Sequence, residues 1–259
     1  MNAHTAKRVA LAAVIAVSLF LSASVIANFQ DALVVYYPFE GNGNLIADKS
    51  GEENHGDLHT AKREAEGKFG KAIRFDAVTD GAETTDSASY LITKQDEGFT
   101  CSFWVYPEKL DFAGENRAVF RRKQFNLDLL KGNGRLEVHV AGSWLQSGEG
   151  PALKQGEWHF VAGTWSPKNG SKLYRDGLLV KANPGAIGKI GEQGDALYLG
   201  GIPKFQLNGF VGRLDEVRIY KRVLDGDEVF ALSESEPRAQ TVASKGSLVT
   251  LWAAIKSRL

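Results

Sequence analysis

Between Gly98 and Tyr106 the chain alternates. Phe99, Cys101, Phe103 and Val105 fall on one side, and Thr100, Ser102, Trp104 and Tyr106 on the other. That two-residue period predicts a strand with one face in a core. From Trp158 to Trp165 bulky residues occupy both faces, which predicts a central strand covered on both sides. Helical periodicity is almost absent from Asp31 to Leu232, and glycine-containing turns recur about every eight to twelve residues, the spacing of a sandwich or barrel. Asp176-Gly177 stands between two strand-like runs, and so do Asn169-Gly170 and Asn133-Gly134. Such pairs tolerate the positive φ that tight hairpins need. The polar stretch 61–66 reads as a connecting loop, and no segment repeats.

The two ends depart from this pattern. Lys7 and Arg8 precede an apolar run from Val9 to Ile26 that closes on small residues. Basic residues, an apolar core and a small-residue site form a secretory signal, with cleavage after Ala27. The alternative is an uncleaved signal anchor, since the run approaches the ~20 residues that span a bilayer. Residues 233–246 are polar, contain Pro237 and read as a linker. Within 247–259, Leu248, Leu251, Trp252, Ile255 and Leu259 recur at spacings of three and four, behind Ser247 as a cap. This predicts a short amphipathic C-terminal helix that needs a surface to lie on. The expected layout is therefore a signal segment 1–27, an all-β domain 31–232, a linker and a terminal helix.

Composition narrows the partners. The chain has 31 basic and 31 acidic residues, and residues 1–27 hold two of the basic ones and none of the acidic. Loss of that segment leaves a slightly acidic protein without the basic excess of a nucleic-acid binder. The lone cysteine, Cys101, cannot form an internal disulfide, so the exported fold must be held by its core or by a metal. Cys101 itself reads as a small buried hydrophobe.

Five stretches carry a resemblance to a known family: 33–58 (LVVYYPFEGNGNLIADKSGEENHGDL), 67–77 (GKFGKAIRFDA), 98–108 (GFTCSFWVYPE), 156–180 (GEWHFVAGTWSPKNGSKLYRDGLLV) and 212–229 (GRLDEVRIYKRVLDGDEV). Their order resembles the laminin-G-like, concanavalin A-like jelly-roll domains of bacterial exported proteins. The resemblance implies two antiparallel sheets packed face to face, with the first and last strands adjacent. It implies no single activity, because this fold carries lectins, adhesion modules and glycosidases.

Three chemistries are open to these residues. The first is a structural calcium. The resemblance brings the oxygen-rich loop from Asp48 to Gly56 beside the late strand that holds Asp215. Ca²⁺ takes six to eight oxygens, so Asp48 and Asp215, with Glu40 as a third ligand, would suffice with loop carbonyls. Alternation places Asp215 on the side of Val217 and Ile219. The competing role of these carboxylates is to accept backbone N–H bonds at turns. The second is a glycan surface, which needs flat aromatic faces beside planar polar groups. Trp144, Arg121 and Asn116 are the candidates, whereas Trp158 and Trp165 read as core. The third is glycoside hydrolysis, which needs two positioned carboxylates. Neither Glu-x-Asp-x-Glu nor Glu-x-Asp-x-x-Glu occurs, and Asp215-Glu216 is an adjacent pair whose side chains diverge. His55, His59, His139 and His159 lack the His-Glu-x-x-His spacing of a zinc site. The expected protein is a non-catalytic module, secreted, periplasmic or at the cell surface, that binds a polysaccharide or glycan. A cell-surface protein is the alternative partner, and the membrane is touched only through an uncleaved anchor.

Overall fold

A computed structural model describes residues 29–84, 98–111, 117–122, 125–130, 134–140, 143–147, 152–185, 196–201 and 209–235. Of Arg117, Ala118, Arg121, Arg122, Ser143 and Trp144 the backbone alone is described. The signal segment, Asn116 and the C-terminal helix 247–259 lie outside the described residues. Ala32–Glu234 forms one compact unit.

Two antiparallel sheets make up this unit. Sheet A runs β14 (Leu178–Asn183), β13 (Gly170–Arg175), β12 (His159–Ser166), β7 (Phe99–Pro107), β16 (Gly212–Tyr220), β5 (Ala72–Phe75) and β4 (Lys62–Glu64), and β1 (Leu33–Tyr37) also pairs with β16. Sheet B runs β11 (Ser143–Gln146), β10 (Leu136–Val140), β9 (Phe125–Leu129), β8 (Arg117–Arg122), β15 (Tyr198–Gly200), β6 (Gly81–Thr84), β3 (Gly56–Asp57) and β2 (Leu45–Ile46). The first and last strands are neighbours, as the resemblance implies. Asp176-Gly177 joins β13 to β14 with φ of 50° and 77°, the positive values anticipated for that turn.

The core lies between the sheets. Phe99, Cys101, Phe103 and Val105 of β7 face it, together with Val161 and Trp165 of β12. Sheet B answers with Phe120, Phe125, Leu127, Val138 and Leu145. Phe99 meets Phe125 edge-on at 4.4 Å between centroids, and Phe103 stacks on Phe120 at 6.2 Å. Gly163 admits this packing, because a Cβ there would stand 2.8 Å from the Phe125 ring. Strand β12 is buried along its whole length, as its two bulky faces foretold.

The late part of the chain holds a short helix, whose start the acidic run of Asp225, Asp227 and Glu228 signals in the sequence. Helix α1 (Gly226–Glu234) starts at Asp225, whose Oδ1 accepts the Glu228 N–H at 2.9 Å while Glu228 Oε2 accepts the Asp225 N–H at 2.9 Å. This reciprocal capping box satisfies two backbone donors at the first turn. Ser233 and Glu234, expected in the linker, instead close this helix. Val229 and Leu232 are buried while Phe230 between them is exposed, so the apolar residues do not mark one face in the sequence.

Candidate functional site

The three expected calcium ligands behave as turn acceptors. Asp48 Oδ1 accepts the N–H groups of Tyr36 (2.8 Å) and Ser50 (2.9 Å), and Oδ2 accepts Ser50 Oγ–H (2.7 Å) and the Asn54 N–H (2.9 Å). Asp215 Oδ2 accepts the Phe69 N–H at 2.9 Å, and Oδ1 accepts that of Glu216 at 2.8 Å. Glu40 Oε1 accepts the Lys71 N–H at 3.0 Å. A cation would have to displace these donors, which present positive charge to the same oxygens. Among the described residues no three His, Cys, Asp or Glu side chains converge as a metal group. The three carboxylates do not fit one shared calcium site.

Asp215 also faces the other way from the expectation. Val217 and Ile219 enter the core, while Asp215 pairs with Trp104 on the outer side of sheet A. The register slips between Asp215 and Arg218, and Glu216 takes φ of 55°. A bulge of this kind adds one residue to a strand and reverses the alternation beyond it.

The outer side of sheet A is polar yet buried. Glu216 accepts hydrogen bonds from Tyr36 Oη–H (3.0 Å) and from Arg218, whose guanidinium also lies 4.3 Å from the centre of the Tyr36 ring. Burial lifts the Asp215 carboxyl from its ordinary 3.8 to about 8, against the two N–H bonds that lower it, and the Glu216 and Glu40 charges add to the rise. Burial raises Glu216 as well, opposed by Arg218. Thr100 Oγ donates to the Arg222 carbonyl and accepts the Leu224 N–H, both at 2.9 Å, which pins the approach to α1 on this side. Around it, the hydroxyls of Ser102, Thr164 and Tyr220 are buried without a hydrogen-bond partner among the described residues. These groups are closed off from a ligand.

The outer side of sheet B differs. The inward row Leu145, Val138, Leu127, Phe120, Leu199 and Ala82 belongs to the core. One step along each strand, the register aligns Trp144, His139, Asn126, Arg121, Tyr198, Glu83 and Asp57 in a single row across seven strands. His139, Asn126, Tyr198 and Glu83 are half-buried and Asp57 is exposed. Two of the three residues chosen from sequence, Trp144 and Arg121, thus hold backbone positions in one row. The sequence reading missed His139, Asn126, Tyr198 and Glu83. The signal was present in Phe125-Asn126-Leu127-Asp128-Leu129 and Leu136-Glu137-Val138-His139-Val140, which alternate without a break.

Beside this row, Asp128 and Glu137 are direct cross-strand partners. Opposite side chains in such a pair start about 5 Å apart, within the range of glycosidase carboxylates. Each is only 4% exposed, and Glu137 Oε2 already takes a 2.6 Å hydrogen bond from Gln146 Nε2. A sugar has no direct approach to either oxygen pair.

Comparison with known proteins agrees with this architecture. Residues 76–230 match the laminin-G family model described as the concanavalin A-like lectin/glucanases superfamily. The chain belongs to that superfamily. Within it, one relative is the sushi, von Willebrand factor type A, EGF and pentraxin domain-containing protein 1 of Rattus norvegicus. It is 27% identical over 155 residues, covering 53% of this chain and 4% of that much longer protein. Domain 4 of AbnA, an extracellular arabinanase from Geobacillus stearothermophilus solved with arabinotriose, superposes with a TM-score of 0.59 at 22% identity. That match covers 78% of this chain and 98% of the other. The ligand-binding domain of botulinum neurotoxin serotype D, solved with N-acetylneuraminic acid, gives a TM-score of 0.64 at 14% identity over 81% and 52% of the two chains. At these identities the structural likeness establishes a lectin-like fold. Among the described residues no helix is long and apolar enough to cross a membrane.

Proposed function

We propose that this protein is an exported, non-catalytic carbohydrate-binding module whose ligand lies across the outer side of sheet B. The observation that carries the reading is the cross-strand row, which sets the backbone positions of Trp144 and Arg121 in line with half-buried Asn126, His139 and Tyr198. Aromatic rings present flat apolar faces to a sugar ring, and planar amide, imidazole and guanidinium groups bond its hydroxyls. The AbnA domain and the neurotoxin domain, both solved with sugars, support it at the level of fold. The burial of Asp128 and Glu137 supports a non-catalytic role, and the basic-then-apolar start of the chain supports export. The test is a glycan array probed with the whole secreted chain, followed by a reducing-end assay on every ligand found. Saturable binding without release of new reducing ends is the expected result. Cleavage of a bound glycan would return the module to the enzymes.

A second reading rests on a separate observation. Leu178, Leu179 and Phe230 are exposed, and Phe230 lies over Gly177 at the β13–β14 turn. Three large apolar side chains at one end of sheet A favour a protein contact there. A Leu178→Ser, Phe230→Ser double variant that loses cell adhesion while keeping glycan binding would establish that contact as a separate function.

A further inference from the structure

The closed polar patch on the outer side of sheet A stops at Trp104, which Phe69 meets edge-on at 6.0 Å and the Lys68 ammonium covers at 4.1 Å from the ring centre. One step further along the strands the same side opens. There the register aligns Tyr106, Arg213, Arg74 and Lys62, and Trp158, just ahead of β12, extends the row beyond Tyr106. Against its reading as core, Trp158 lies outside the core cluster and, like Tyr106, is half-buried. The two rings stand 5.4 Å apart between centroids at an angle of 56°. Among the described residues neither Tyr106 Oη nor Trp158 Nε1 has a hydrogen-bond partner. Such polar ends find a partner when they are buried, and here both are left for what meets the surface. Gly156 keeps the spot clear, since a Cβ there would stand 3.7 Å from Tyr106 Oη. The polar neighbours are fixed with groups to spare. The Arg213 guanidinium lies 4.9 Å from the centre of the Tyr106 ring. Its Nε donates to Glu108 Oε1 at 3.0 Å and its Nη1 to the Glu66 carbonyl at 3.1 Å, which leaves Nη2 unengaged among the described residues. Glu108 Oε2 accepts an N–H from Arg74 Nη2 at 2.8 Å, and each carboxylate oxygen keeps a further lone pair.

We infer that Trp158, Tyr106, Arg213 and Glu108 form a second sugar seat, on the sheet opposite the row proposed above, and that it takes a pyranose with equatorial hydroxyls, as in β-linked glucose or N-acetylglucosamine chains. Equatorial hydroxyls leave both faces of the ring as flat C–H surfaces, which stack on an indole or a phenol ring. The same hydroxyls point outward in the plane of the ring, toward the fixed guanidinium and carboxylate, where charge-assisted hydrogen bonds hold them. Two half-open rings offer far less than the ~800 Å² that each partner of a standard protein interface covers, and they match the size of a sugar. The seat goes beyond the sheet B reading and does not depend on it.

The experiment follows the indole N–H resonance of Trp158 in the nitrogen-labelled whole secreted chain, assigned by its absence from Trp158→Phe. Cello-oligosaccharides, β-1,3-glucan oligomers and N-acetylglucosamine oligomers are titrated in turn. At least one is expected to shift that resonance to saturation, and Tyr198→Ala on sheet B should leave the shift unchanged. Made in the Tyr198→Ala background, Trp158→Ala should weaken that sugar about tenfold or more, and Trp158→Phe by no more than about threefold, because phenyl keeps a stacking face. A thermal melt confirms the fold of each variant. A resonance unmoved by every sugar, a shift abolished by Tyr198→Ala, or a Trp158→Ala variant that binds as tightly as its parent overturns the inference. The sheet B reading fails separately, if the glycans found on the array bind Tyr198→Ala as tightly as the unchanged chain.

Discussion

The two outer faces of the sandwich hold similar kinds of residue and put them to different use. On sheet A, Glu216, Arg218 and Tyr36 close on one another, and Ser102, Thr164 and Tyr220 are sealed beside them. On sheet B, Asn126, His139, Tyr198 and Glu83 stand half-open in a line. Polar residues on a strand therefore do not by themselves announce a site. What separates the faces at these places is whether solvent reaches the polar groups, which are buried on sheet A and half-open on sheet B.

The difference is easiest to break at Arg218. Its removal strands the buried Glu216 charge, and Arg218→Ala should cost about 3–5 kcal/mol in chemical denaturation. No comparable loss is expected from any single change along the sheet B row.

The next largest effect is one of pH. Asp215 has a folded value of about 8 against an ordinary 3.8, so the native state holds a proton that the unfolded chain releases across that interval. Stability from this group is therefore fullest below about pH 4 and declines as pH rises toward 8. The decline should amount to a few kcal/mol between about pH 5 and 8.5, since each pKa unit is worth ~1.4 kcal/mol. Asp215→Asn should flatten that slope. A slope identical in the variant would show that another group titrates.

On sheet B the expected effect moves from stability to binding. Tyr198→Ala should weaken the best glycan ligand about tenfold, equal to ~1.4 kcal/mol. The melting temperature should shift far less than for Arg218→Ala. A matching loss of stability would mean that Tyr198 packs rather than binds. Smaller still is Thr164→Val, which deletes a buried hydroxyl without a partner among the described residues. It should raise stability by about 1 kcal/mol, because an unmet buried polar group costs ~1–3 kcal/mol. Least of all, exchanging excess Ca²⁺ for a chelator should leave the melting temperature in place, as Asp48, Asp215 and Glu40 already have N–H donors.

These contrasts also explain how far the sequence could be read. The core face of β7 was legible because nothing interrupts its alternation from Phe99 to Val105. The orientation of Asp215 was not, because a one-residue bulge leaves no mark in the pattern and turns every following side chain over. Trp144 and Arg121 were legible singly, through residue type. Their alignment with Tyr198 and Glu83 was not, since it depends on β8 lying beside β15 and β15 beside β6, a strand order remote from chain order. Asp48 misled in a different way. An oxygen-rich loop is the same whether its carboxylate meets a metal or four hydrogen-bond donors, and only the geometry around it tells the two apart.

Cys101 gives the fold a built-in clock. It is the protein's only thiol, it is fully buried in β7, and burial pushes its ionisation well above the ordinary range. Disulfide exchange and alkylation both need an accessible thiolate, so an oxidising environment finds nothing to react with while the sandwich is closed. The rate at which a thiol reagent captures Cys101 therefore counts the openings of the molecule, one event at a time, without any label added to it.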